Sequence, residues 1–186
     1  MIRTLFPILA MAMMAQVTQP FAGYCVDRQQ RLRPVFGIAG NFVLGDSIAE
    51  GVLSVASAGK ITLAKSQDEV WTIKAGAISE RKPAPAGSAS FTFAADGTPL
   101  LAVFAEAGTQ WRWKDGEVIE EPLAYQPARL DPVLVLPGSR IQIHLDTAPS
   151  RMDQMSADWY LAYNDSGIFA IRVRDGKVYQ LPELLQ

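Results

Sequence analysis

The chain has 186 residues, 49% hydrophobic and 19% charged, which is enough for one domain with a sizeable core and excludes a disordered segment. Its formal net charge is −2 and its Lys and Arg are scattered, so the electrostatic footprint of a nucleic-acid binder is missing. The single cysteine, Cys25, excludes an internal disulfide, and one histidine beside one cysteine argues against a tight zinc site.

The first 22 residues, MIRTLFPILAMAMMAQVTQPFA, have the three parts of a secretory signal. Arg3 and the amino terminus supply the positive start. Leu5 to Ala15 is an apolar run too short to span a membrane. Small residues at Ala10, Ala12, Ala15 and Ala22 offer several cleavage points, with a mature start expected between about Met13 and Gly23. The expectation is a signal over 1–22, a single domain over 26–186, a periplasmic or secreted bacterial location and no transmembrane span after signal removal. Tyr24 before Cys25 does not suit a lipid-anchored cysteine, which reads as a small buried apolar residue.

From residue 26 onward, short runs rich in β-branched and aromatic residues alternate with Gly, Pro and Asp-Gly turns. They include KITLAKS (60–66), EVWTIKAG (69–76), SFTFAADG (90–97), PLLAVFAE (99–106), QWRWKDG (110–116), DPVLVLPG (131–138), RIQIHLD (140–146), DWYLAYND (158–165) and IFAIRVRDG (168–176). Alternation in QWRWKDG places Trp111 and Trp113 on one face. Asp115-Gly116 and Asp175-Gly176 predict tight turns with positive φ at both glycines. SAGK (57–60) reads as a hairpin turn and KPAPAGS as a loop between units. TAPSRMDQMSAD (147–158) reads as a long connection that folds as a short helix or lies over one end of the sheets.

The chain also repeats itself. Displaced by 60 residues, LLAVFAEAGTQWRWKDGEVIEEP (100–122) lies over YLAYNDSGIFAIRVRDGKVYQLP (160–182) with seven of 23 positions identical and no gap. Chance would give roughly one or two. Displaced by 40, EVWTIKAGAISE (69–80) lies over TQWRWKDGEVIE (109–120), and Trp71 meets Trp111. RPVFGIAG (33–40) echoes DPVLVLPG (131–138). A period near 40 with several strands per copy marks β-propeller blades, because one small sheet cannot bury both faces alone. The predicted fold is all-β and propeller-like with about three blades, with a β-sandwich as the alternative. The RPVFGIAG segment and the repeated Asp-Gly units together resemble a largely uncharacterised class of secreted bacterial β-propeller proteins. An array of three cannot close. Its terminal faces should then be exposed, and a weak homo-oligomer through the terminal blades is expected.

Four residues stand out as site candidates. In NFVLGDSIAEG (41–51), Gly-Asp-Ser resembles the nucleophile block of GDSL-type ester hydrolases, which implies Ser47 as nucleophile. That resemblance also implies an Asp-x-x-His near the C-terminus. The only histidine, His144, has Ile141 three residues before it, and Asn164-Asp165 follows it. The competing reading is a strand ending in a turn, with Asp46 and Ser47 bonded to nearby backbone. IHLDTAPS (143–150) resembles the aspartate turn of aspartic proteases, which need two such turns; one is present. Trp113 and Trp159 could stack on a flat ligand, whereas Trp111 reads as core. His144 alternates with Gln142 and Asp146 on the polar side of its strand. The expected function is a non-enzymatic repeat module that binds a protein or small ligand, without metal or cofactor. The alternative is an ester hydrolase using Ser47.

Overall fold

The computed structural model describes residues 19–123, 133–136 and 141–182, and its strands form small antiparallel sheets. The first sheet is β1 (Phe21–Val26), β2 (Leu32–Ile38) and β3 (Asn41–Leu44). The second is β4 (Ser54–Ala58), β5 (Ile61–Lys65), β6 (Glu69–Lys74) and β7 (Ala77–Pro83). The third is β8 (Ser90–Phe93), β9 (Pro99–Phe104), β10 (Thr109–Lys114) and β11 (Glu117–Pro122). A hairpin of β12 (Val133–Val135) and β13 (Gln142–His144) precedes the last sheet, β14 (Arg151–Ser156), β15 (Trp159–Asn164), β16 (Gly167–Arg172) and β17 (Val178–Gln180). The sheets are arranged in a ring like a four-bladed propeller, with β1, β4, β8 and β14 innermost.

Each blade is a meander from the axis to the rim, and its sequence changes accordingly. SVASA in β4 is buried along its whole length, so its small residues show no alternation. The middle strands alternate. The outermost strands, AISERKP and EVIEEP, expose charges along their free edges, which discourages pairing with another chain. The hairpins at Ala75-Gly76 (φ 50° and 81°) and Asp115-Gly116 (φ 52° and 84°) have both central residues left-handed, as two-residue turns between twisted strands require. Gly176 also has positive φ, 67°, as expected.

The core lies between blades. Tyr24, Val26 and Leu32 of the first sheet pack on Val55, Ala64, Trp71 and Ile73 of the second. Leu63 and Val70 pack on Phe91, Phe104 and Trp111 of the third. A contact recurs from blade to blade: a fully buried alanine on the second strand stands opposite an aromatic on the third, as Ala64–Trp71, Ala102–Trp111 and Ala162–Phe169. Trp71 donates its Nε1–H to Glu69 at 2.7 Å and Trp111 its own to Glu120 at 3.1 Å. Leu134, Leu136 and Ile143 of the β12–β13 hairpin cover Ala162 and Ile171 on one face of the last sheet.

The structure alters three expectations. There are four blades rather than about three, and the extra one is the first sheet. It is not a copy of the others. Val26 at the end of β1 lies beside Leu53 and Arg151, where β4 and β14 begin, while Gly23 lies on Met155 near the end of β14. Thus β1 runs against β4 and β14, and its three-stranded sheet shares no register with the repeat. Second, the terminal faces are not open. Cys25, Val35 and Phe42 of the first blade pack on Met155, Leu161, Ile168 and Ala170 of the last. The ring brings them together, which removes the reason given for association through terminal blades. Third, TAPSRMDQMSAD is not a connection alone, since Arg151–Ser156 is the innermost strand of the last blade. Residues 1–18 of the expected signal over 1–22, residues 131–132 and 137–138 of DPVLVLPG, Arg140, and residues 183–186 of LPELLQ lie outside the described residues.

Candidate functional site

Three inner strands, β4, β8 and β14, begin at one end of the ring, where β1 ends. There the polypeptide leaves a cleft of about 500 Å³. Every blade contributes to it: Val26 and Arg28 from the first, Leu53 and Gln67 from the second, Glu106 from the third, Arg151 and Tyr163 from the last.

Below the cleft the axis is polar. Arg151 and Asp153 alternate on β14 with Met152 between them, so both point to one side of the strand. The carboxylate of Asp153 is 3.1 Å from Arg151 Nε and accepts from the backbone N–H of Val55 on β4 at 3.4 Å. Arg151 donates through Nη1 to the carbonyl of Leu53, which ties β14 to β4 across the axis. Its guanidinium lies 3.8 Å from the ring centroid of Tyr163, and Tyr163 Oη accepts from Val26 N–H at 3.3 Å. One cluster therefore joins the first, second and last blades.

The two members of this pair respond differently to their surroundings. Burial pushes the Asp153 carboxyl up to about 6, even with Arg151, Val55 N–H and Tyr163 favouring its charge. Arg151 is also disfavoured by burial, but Asp153 and Tyr163 outweigh this and raise its pKa. Its side chain keeps 25% of its surface exposed, and Arg151 lines the cleft. Burial, reinforced by Asp153, raises the Tyr163 phenol well above its usual range. Burial and then Asp27 push the nearby Cys25 thiol up to about 12, so it stays protonated and unreactive at neutral pH.

Glu106 lines the same cleft from the third blade. It sits in the β9–β10 turn, and its carboxylate folds back over the linker between the second and third blades. Ser88 Oγ lies 3.4 Å from Glu106 Oε1. Gly87 has φ 90°, and a Cβ there would fall 2.5 Å from Glu106 Oε2, so glycine is what admits the carboxylate. Behind it the buried Lys65 donates Nζ–H to the carbonyls of Ser66 and Gln67 at 2.6 and 3.1 Å. Burial lowers the Lys65 pKa, while Asp68 and Glu106 partly restore it. Asp27, also at the cleft, is committed to Arg33 and Arg31 at 2.7 and 2.8 Å. Arg28 bridges the first and last blades by donating to the carbonyl of Asp165 at 2.9 Å.

None of the four site candidates, Ser47, His144, Trp113 and Trp159, lines this cleft. Ser47 is exposed in the loop after β3, and its hydroxyl donates to the Ala49 carbonyl at 3.0 Å. That segment is pinned beside β2 by the Leu32–Ala49 bridge. His144 is exposed on β13, opposite Val133. Trp113 is half-buried, edge-on to Trp111 at 6.2 Å, against the core of the second and third blades. Trp159 packs edge-on to Phe42 at 5.2 Å and Tyr179 at 5.7 Å, where the last blade meets the first. Trp111 is core, 3% exposed.

Arg151, Asp153, Tyr163 and Glu106 did not emerge from the sequence. One signal could have found the first two. Extending the 60-residue displacement back from 100 carries β8 onto 150–153, and a strand there puts Arg151 and Asp153 on one face. Among the described residues, no group of three or more His, Cys, Asp or Glu could hold a metal ion, and no helix is long and apolar enough to cross a membrane. No family model matches the chain, and neither a curated protein nor a solved structure matches it.

Proposed function

We propose that the protein is a secreted or periplasmic, non-enzymatic propeller-like module that binds a ligand or a protein segment in the axial cleft. The observation behind this reading is the convergence of side chains from all four blades on one cleft, over a floor of Arg151 and Tyr163 joined to the buried Asp153. Rigid sheets hold loops and strand ends at a common mouth, and a pre-formed concave site with a few fixed polar groups suits recognition. Ser47 is better explained as a turn residue, since its hydroxyl is engaged with a local carbonyl.

Thermal-shift screening against amino acids, dipeptides and neutral oligosaccharides tests the cleft. At least one class should raise Tm, and Ser150→Trp, which places bulk at the mouth, should abolish the rise. Export is tested by mass spectrometry of the secreted or periplasmic protein. β1 starts at Phe21, and the Pro20 carbonyl accepts from Gly37 N–H at 2.8 Å. Cleavage after Ala12 or Ala15 leaves this sheet whole, so Met13 or Gln16 is the expected first residue. An intact Met1 in exported protein would refute the signal. Turnover of a short-chain chromogenic ester that is lost in Ser47→Ala would favour the hydrolase reading.

A further inference from the structure

We propose that the axial cleft takes a zwitterionic, amino-acid-type ligand, with its carboxylate on Arg151 and its ammonium group on Glu106. This rests on the reading of the cleft as a binding site and adds the class of ligand.

The two charged groups are held by different parts of the fold. Arg151 has its plane backed by the Tyr163 ring at 3.8 Å, one nitrogen on the Leu53 carbonyl and another beside Asp153. A guanidinium fixed this way loses little side-chain entropy on binding. The Arg151 side chain keeps 25% of its surface exposed and lines the cleft, and the planar donors of a guanidinium suit a planar oxyanion. Arg151 Nε is buried and makes no well-directed hydrogen bond, although Asp153 lies 3.1 Å away. Arg28, on the same side of the cleft, adds positive potential.

Glu106 faces the cleft from the third blade. An exposed glutamate in a hairpin turn ordinarily extends into water. This one lies back against Gly87 and Ser88, where a side chain on residue 87 would collide with it. A guanidinium and a carboxylate lining one cleft match a ligand with both charges better than a neutral sugar or a simple anion. The volume of about 500 Å³ has room for more than one residue. A free amino acid and the terminus of a short peptide share this chemistry.

Isothermal titration with glycyl-leucine, free leucine, N-acetyl-glycyl-leucine, glycyl-leucinamide and maltotriose separates the possibilities. The dipeptide should bind, and both blocking the amine and amidating the carboxylate should weaken it by about tenfold or more, the effect of one charge-assisted hydrogen bond. Glu106→Gln should weaken the dipeptide similarly and leave the N-acetyl compound unchanged. Gly87→Ala, which displaces the Glu106 carboxylate, should act in the same way. Leucine binding as tightly as the dipeptide identifies a free amino acid; a marked preference for the dipeptide identifies a peptide. Equal affinity for blocked and unblocked dipeptide overturns the zwitterion. Maltotriose binding that is lost in Ser150→Trp, with no dipeptide binding, also overturns it and leaves the binding-module reading standing. Binding by none of the five removes both.

Discussion

The last blade carries two Arg–Asp pairs whose aspartates shift in opposite directions. At the axis, Arg151 lies 3.1 Å from Asp153 and burial pushes the aspartate up to about 6. At the rim, Arg172 lies 2.5 Å from Asp175, and its hydrogen bonds hold that exposed aspartate down to about 2. The chemistry of the partners is the same; the difference is water. In the rim pair the guanidinium adds to a carboxylate that is already solvated. In the axial pair it only partly offsets what Asp153 loses on leaving water. The axial pair is thus an expensive way to stabilise a fold. Its position under a cleft built by four blades gives it a functional explanation that the rim pair does not need.

The sharpest way to break the comparison is to remove each arginine. Arg151→Met leaves Asp153 buried without its counter-charge and cuts the tie to the Leu53 carbonyl. A loss of about 3–5 kcal/mol in urea unfolding is expected. Arg172→Ala removes a rim partner and ring contacts with Trp159 and Tyr179, and the loss should be much smaller. Similar losses for the two variants would mean that burial does not distinguish the pairs.

A second test uses the turn that carries the rim aspartate. Gly116 and Gly176 both have positive φ, yet nothing lies within 4 Å of a Cβ built on Gly116, while one on Gly176 falls 2.6 Å from Ile141 Cγ2. Gly116→Val should cost about 1–2 kcal/mol from backbone strain alone. Gly176→Val should cost about 2–3 kcal/mol, because the β12–β13 hairpin must also move. Equal changes in melting temperature would show that the hairpin is not seated against this turn.

The axial pair also has a signature in pH. The folded pKa of Asp153, about 6, lies above the reference value of 3.8, so the folded state binds the proton more tightly. Its contribution to stability therefore increases as pH falls from about 7 to about 4 and is constant below. We expect about 2–3 kcal/mol, the equivalent of the gap between those two values, read as the difference between wild type and Asp153→Asn across that range. A difference that does not change with pH would place Asp153 in a more hydrated setting.

Exposure decided what could be read from the sequence. β6 and β10 each have one wet face, so Trp71, Trp111 and Trp113 alternate with polar residues and reveal both strand and repeat. β4 is buried on both faces, and β14 faces the axial cluster on one side and apolar neighbours on the other, so SVASA and RMDQMS carry no such rhythm. The gapless match also hides a slip. β10 spans Thr109–Lys114, while β16 spans Gly167–Arg172, two residues early in the displaced frame. An even slip keeps every side chain on its face, so the repeat survived it. The candidate site was the least legible part, because its bonds join residues 98 and 137 apart, Arg151 to Leu53 and Tyr163 to Val26. No local spacing records such a meeting.

The smallest effect belongs to the rim and has the opposite sign. Arg172 donates to both carboxylate oxygens of Asp175, at 2.9 and 2.5 Å, and the Lys177 N–H adds a bond at 3.3 Å. These hydrogen bonds place the folded pKa below the unfolded one. The stability they contribute is complete above about pH 4 and is lost as pH falls toward about 2. Wild type should therefore be slightly more stable than Asp175→Asn at pH 5, and the two should converge near pH 2. Acid strengthens the axis through Asp153 between about pH 7 and pH 4, and weakens the rim through Asp175 only below about pH 4. Chemical unfolding of both asparagine variants from pH 7 to pH 2 resolves the two windows. A gap between wild type and Asp175→Asn that persists at pH 2 would show that the turn depends on residue shape rather than on the charge of its aspartate.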